Sequence, residues 1–144
     1  MIGYGKRFRG IQFVLVFLIL TGCESKPGCD AFRVGNFYHP LPNGDSVFIQ
    51  RDDTSQIEVR PGYTARFSIG WLDNCEYEMR MTNMAENGKN VPIPDSFRSI
   101  KNRVKIIETS TKYYVFDAKR SDGLEFADTL WIGREVIGGF SSVP

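Results

Sequence analysis

One histidine and three cysteines in 144 residues leave this chain little of the material that most catalytic chemistry needs. A nucleophile requires a base within hydrogen-bond reach. The sole imidazole, His39, stands beside Pro40 in an expected turn, with no Gly-x-Ser-x-Gly elbow for it to serve. There is no Cys-x-x-Cys pair, so no metal site is expected. Neither a dinucleotide glycine pattern nor a phosphate-binding Gly-Lys-Ser/Thr occurs, so no cofactor is expected. Charge of one sign is lacking too: 18 Lys+Arg face 17 Asp+Glu, a formal +1 that supplies no field for a phosphate backbone, and nucleic acid is not an expected partner. Paired carboxylates could hydrolyse a glycoside. Asp52-Asp53, however, would point to opposite faces of a strand or sit in a turn, and Glu76 with Glu78 fall on a solvated face. An enzyme is therefore not expected.

A long apolar run is also missing. The stretch from Ile11 to Leu20, broken by Gln12, is ten residues long, against roughly 20 for a helix that spans a bilayer. Lys6, Arg7 and Arg9 precede it and small residues follow, the order of an export signal. The tetrapeptide Leu20-Thr21-Gly22-Cys23 then resembles the lipobox of bacterial lipoproteins. The resemblance implies a signal peptide over residues 1–22, cleavage before Cys23, and a diacylglyceryl group on its thiol with a further acyl chain, such as palmitate, on the new amino group. Each buried methylene contributes about 0.8 kcal/mol, so several chains hold a protein on a membrane where one would not. Glu24 rather than Asp after the cysteine implies the outer membrane over the inner. Removing residues 1–22 takes away three bases and no acid, which turns the formal charge from +1 to −2.

With Cys23 assigned to lipid, Cys29 and Cys75 remain as an even pair in a chain expected to enter an oxidising compartment, and a disulfide between them is the economical reading. Closing that loop would stabilise the fold by about 4 kcal/mol on a chain-entropy argument. Residues 23–30 then form a lipidated end and a short tether, with a turn at Pro27-Gly28.

From residue 31 the apolar period is near two. Phe32, Val34 and Tyr38 share one side, and Val47 and Ile49 one side of the next run, with Asn43-Gly44 as a φ > 0 pair between them. Ile57 and Val59 alternate with Gln56, Glu58 and Arg60 before Pro61-Gly62. Two half-buried antiparallel strands follow, with Ala65, Phe67, Ile69 and Trp71 on one parity and Cys75, Tyr77, Met79 and Met81 on the other strand's inner side. Residues 83–102 carry Asn87-Gly88, Pro92 and Pro94 without a period, and are expected to be a long loop in which Asp95-Ser96 starts one helical turn through Phe97 and Ile100. Strands resume over Val104–Thr109, Lys112–Ala118 and Leu124–Ile132, and residues 134–144 form a tail.

The fold class is thus all-β: an antiparallel up-and-down meander of seven or eight strands over residues 31–133, closed into a small lipocalin-like barrel, with a β-sandwich as the alternative. The order Cys29, Gly35-Asn36-Phe37, Arg51, then Trp71-Leu72-Asp73-Asn74-Cys75-Glu76-Tyr77 resembles a group of small bacterial lipoproteins with a Trp-x-x-x-Cys-Glu-Tyr segment and such a fold. That group carries no assigned reaction. Trp71, Tyr77, Phe116 and Trp131 either fill the core or line a cavity for an apolar or amphipathic ligand; a filled core is expected, and Arg51 and Arg66 are placed on the outer face, with a grip on a carboxylate or a structural partner as the alternative. The functional expectation is a non-catalytic binding or interaction module. It would be held in the cell envelope by acyl chains on Cys23 and would contact an envelope protein, a glycan or a lipid. The alternative is a carrier or sensor of a small amphipathic ligand.

Overall fold

A computed structural model describes residues 25–133. Residues 1–24, with the expected signal segment 1–22 and Cys23, and residues 134–144, the expected tail, lie outside the described residues. A short 3-10 helix, Cys29–Phe32, is followed by nine strands: β1 Gly35–Pro40, β2 Ser46–Arg51, β3 Ser55–Arg60, β4 Tyr63–Trp71, β5 Glu76–Glu86, β6 Lys89–Val91, β7 Asn102–Thr109, β8 Tyr113–Arg120 and β9 Glu125–Ile132. One helical turn, α1 (Asp95–Arg98), stands between β6 and β7. Every strand pairs with its sequence neighbour, antiparallel, except that β7 skips β6 and pairs with β5. Tyr38 opposite Trp131 then joins β1 to β9 and closes the ring. The result is an eight-stranded up-and-down barrel with β6 as one extra strand outside it.

The cause is legible in β4 and β5. Ala65, Phe67 and Ile69 alternate with polar residues and are buried, as are Tyr77 and Met79, whereas Glu76, Glu78 and Arg80 face outward. A strand with one apolar parity must cover that face, and closure does so while leaving no unpaired edge on the ring. Two contiguous core clusters line the interior, one around Phe67, Tyr77 and Val104, the other around Phe32, Phe37, Tyr114 and Leu130, and they do not fill it, so the expected filled core is corrected.

Several expectations are corrected. Phe32 lies in the 3-10 helix rather than a strand; Phe37 is buried on β1 while Val34 is 56% exposed, so Phe32, Val34 and Tyr38 do not share a face. Gly44 alone of the Asn43-Gly44 pair has positive φ, and the tight two-residue turn with φ > 0 at both positions is Asn87-Gly88 (48° and 77°). Residues 83–102 are not one loop. β5 runs on to Glu86, turns, and returns as β6, so only 92–101 remain irregular around α1. Most consequential is β3. Its polar residues Gln56 and Glu58 face the interior and Ile57 and Val59 face out, because β2 delivers Arg51 to the interior and the guanidinium takes Gln56 as its acceptor.

Candidate functional site

The barrel has a closed end and a hollow end. At the closed end the 3-10 helix enters the ring, tied to β5 by the Cys29–Cys75 disulfide with Cα atoms 5.0 Å apart. Phe32 is 1% exposed there and packs on Phe37 and Tyr114. Thr109 at the end of β7 donates its hydroxyl to the Pro27 carbonyl at 2.7 Å, fixing the segment just before the helix.

Arg51, 2% exposed, is the hub of this floor. Its Nε donates to Gln56 Oε1 at 2.7 Å and Nη1 to the Phe32 carbonyl at 3.1 Å. Nη2 donates to the hydroxyls of Tyr77 at 2.9 Å and Tyr114 at 2.8 Å. The same guanidinium lies over the rings of Phe37 and Tyr77. The outer-face placement of Arg51 is therefore overturned, and the sole hint in the sequence was its parity with Val47 and Ile49. Burial acts to depress the guanidinium pKa, but Tyr77 and Tyr114 more than offset it and hold the group above its ordinary value. Burial raises the Tyr77 phenol well above 10, with Arg51 pulling the other way. The Tyr77 phenol is thus a neutral acceptor and Arg51 a buried cation without a carboxylate in contact.

Above the floor lies a cavity of about 390 Å³, within the size range of small-ligand sites. Its lining is divided. One wall, from β4 through β8, is mostly apolar, with Phe67, Met79, Met81, Val104 and Phe116, and turns polar only toward the mouth at Asn102 and Arg120; the other carries Arg51, Gln56 and Glu58 from β2 and β3. Phe97 and Ile100, from α1 and its C-terminal side, stand at the mouth with His39 and Asp128. Gln56 passes one amide hydrogen to Glu58 Oε1 at 2.7 Å, so its side chain bridges the guanidinium and the carboxyl. Glu58 is half-buried, and burial pushes its carboxyl up against the opposing pull of Gln56, Arg51, Arg60 and His39. His39 Nδ1 lies 3.4 Å from Asp128 Oδ1. No Ser, Thr, Cys or Lys lines the cavity, and no cluster of three His, Cys, Asp or Glu suited to a metal occurs among the described residues. What this arrangement offers is an apolar surface facing a fixed set of hydrogen-bonding groups.

The four aromatic candidates separate. Tyr77 and Phe116 line the cavity. Trp71 belongs to the floor, its ring 4.7 Å from that of Tyr77 and beneath the Arg33 guanidinium. Trp131 lies on the outer face, packed at a tilt of 56° against Tyr113 with ring centroids 5.1 Å apart, and contributes to neither core nor cavity. Cys29 and Cys75 are joined as expected from their parity and compartment. Sequence reading missed Gln56, Glu58, His39 and Asp128 as cavity groups, because alternation identifies residues that share a face without saying which face is inside. No protein-family model, curated protein or solved structure matches the chain.

Proposed function

We propose that the protein is a non-catalytic binding module of the cell envelope, anchored by acyl chains on Cys23, that carries or senses a small amphipathic ligand in its barrel. The observation that supports the reading is the divided cavity. A molecule with an apolar body and a polar end would cover the Phe67, Met79 and Phe116 wall while its polar atoms met Arg51, Gln56 and Glu58. The lipobox at Leu20-Thr21-Gly22-Cys23 supports the anchor.

The full-length protein should bind the fluorescent amphiphile 1-anilinonaphthalene-8-sulfonate saturably at a single site. Val47→Trp, which places an indole in the cavity from β2, should abolish that site while leaving the far-ultraviolet β spectrum unchanged. Unaltered dye binding in the variant would place the dye elsewhere and remove the reading. Cys23→Ala should leave unprocessed or soluble protein; ordinary membrane fractionation of this variant would remove the anchor.

A further inference from the structure

The outer surface is two-sided. On β5, β7 and β8 it carries ion pairs, Arg103 with Glu76, Lys101 with Glu78 nearby, and Lys119 with Glu125 on β9 at the mouth. On β1, β2 and β3 the outward residues are Asn36, Tyr38, Pro40, Ser46, Phe48, Gln50, Ser55, Ile57 and Val59, none charged, because His39, Arg51 and Glu58 point into the barrel and Arg60, exposed at the end of β3, falls on the same parity as Glu58 and lies over Tyr63. Cross-strand register lines up one apolar residue per strand across this side: Val59 opposite Phe48, Phe48 opposite Tyr38, Tyr38 opposite Trp131, and Trp131 opposite Tyr113. Phe48 is 43% exposed. Single exposed apolar residues need no explanation, but a continuous uncharged row over five adjacent strands does.

The row ends beside the tether. Tyr113 begins β8 immediately after the turn that follows Thr109, and Thr109 is bonded to Pro27. Cys23 precedes Pro27 by four residues, a reach of at most about 14 Å. We propose that this side, uncharged over β1 to β3 and led by Trp131 and by Tyr113, whose hydroxyl donates to Glu108 at 3.1 Å, lies on the headgroup region of the bilayer that holds the acyl chains. The inference rests on the lipid-anchor reading. Trp and Tyr suit that depth because each joins an apolar ring to a polar atom that stays wet. The tether is too short to hold the barrel clear of the surface, so contact on this side adds to the anchor instead of competing with it. The cavity mouth, at the end opposite the disulfide, stays clear of the tether.

The chain has two tryptophans, which makes the test direct. The full-length acylated protein is reconstituted into vesicles of phosphatidylethanolamine and phosphatidylglycerol with chains brominated near the headgroup. Trp71→Phe leaves Trp131 to report on the outer face; Trp131→Phe leaves Trp71 to report on the floor. Bromine should quench the first variant several-fold more than the second. Equal quenching in the two, with acyl mass and vesicle flotation intact, overturns the contact while sparing the anchor. Should Trp71→Phe not fold, Tyr113→Cys carrying a polarity-sensitive label reads the same face, and a water-like signal on vesicles overturns it. Dimer crosslinks through that label, with no lipid signal, assign the side to a second copy. Absence of acyl mass at Cys23 removes the anchor and this proposal together.

Discussion

Arg51 and Tyr114 are bonded across the floor of the barrel at 2.8 Å although 63 positions separate them in the chain. Their contact joins β2 to β8 through the interior, and with Tyr77 and the Phe32 carbonyl it fastens the 3-10 helix to three strands at once.

Arg51→Met should therefore cost more than the loss of any one contact. It leaves the Phe32 carbonyl, the Gln56 amide oxygen and two phenols without their donor, and a buried polar group left unpaired costs about 1–3 kcal/mol. A total near 3 kcal/mol is expected after local relaxation, against about 1 kcal/mol for Tyr114→Phe. Urea denaturation of both variants checks this, and an Arg51→Met protein as stable as the parent would show that the hub contributes nothing net.

Two carboxylates give opposite pH signatures. Burial raises Glu58 above its ordinary 4.5, so the folded state holds that proton more tightly than the unfolded one. Its contribution is complete below pH 4.5 and is lost as the pH rises through the folded value. Glu58→Gln, which keeps the acceptor for Gln56, should melt higher than the parent at neutral pH and at the same temperature near pH 4. Asp52 is held at about 2 by the Thr54 backbone amide first, then the Ser55 hydroxyl and amide. Its contribution is present above its ordinary 3.8 and is lost as the pH falls through about 2. Asp52→Ala should lower the melting temperature at pH 6 and converge on the parent at pH 2. Melting curves for both variants from pH 2 to pH 8 decide the matter; a difference that does not vary with pH in either would contradict the assigned environments.

Reduction of Cys29–Cys75, which closes a 46-residue span, should destabilise the protein by about 4 kcal/mol. Because the bridge holds the plug and not the ring, the Cys29→Ala, Cys75→Ala protein should keep its β spectrum while Trp71, on the floor, becomes accessible to iodide. Collapse of the β spectrum would mean that the ring depends on the plug.

The sequence pattern carried the meander well wherever a strand has one apolar and one polar side, as in β4, β5 and β7. It failed at β3, where the same alternation is present with its faces exchanged: Gln56 and Glu58 go inward because Arg51, two strand positions beyond Ile49, requires acceptors in a place that nothing local reveals. It failed again at Trp131, since a large aromatic reads as core until the register sets it opposite Tyr38 on the outside. The division between floor and cavity was not legible at all, because it depends on how far the 3-10 helix enters the ring. The Cys29–Cys75 pairing, by contrast, followed from parity and the expected compartment without any geometry.

Closure rests on a narrow seam. Among the described residues, β1 and β9 share the pairs Phe37–Ile132 and Tyr38–Trp131, extended by the Gly133 amide to the Asn36 carbonyl. The residues that shut the ring thus lie at the end of β9, the last of the described strands, so a nascent chain still short of Trp131 has the hairpins of the meander and no way to complete the circle. Assembly must wait for release of almost the entire domain, and truncation by a handful of residues inside β9 should yield an open, self-associating sheet rather than a smaller barrel.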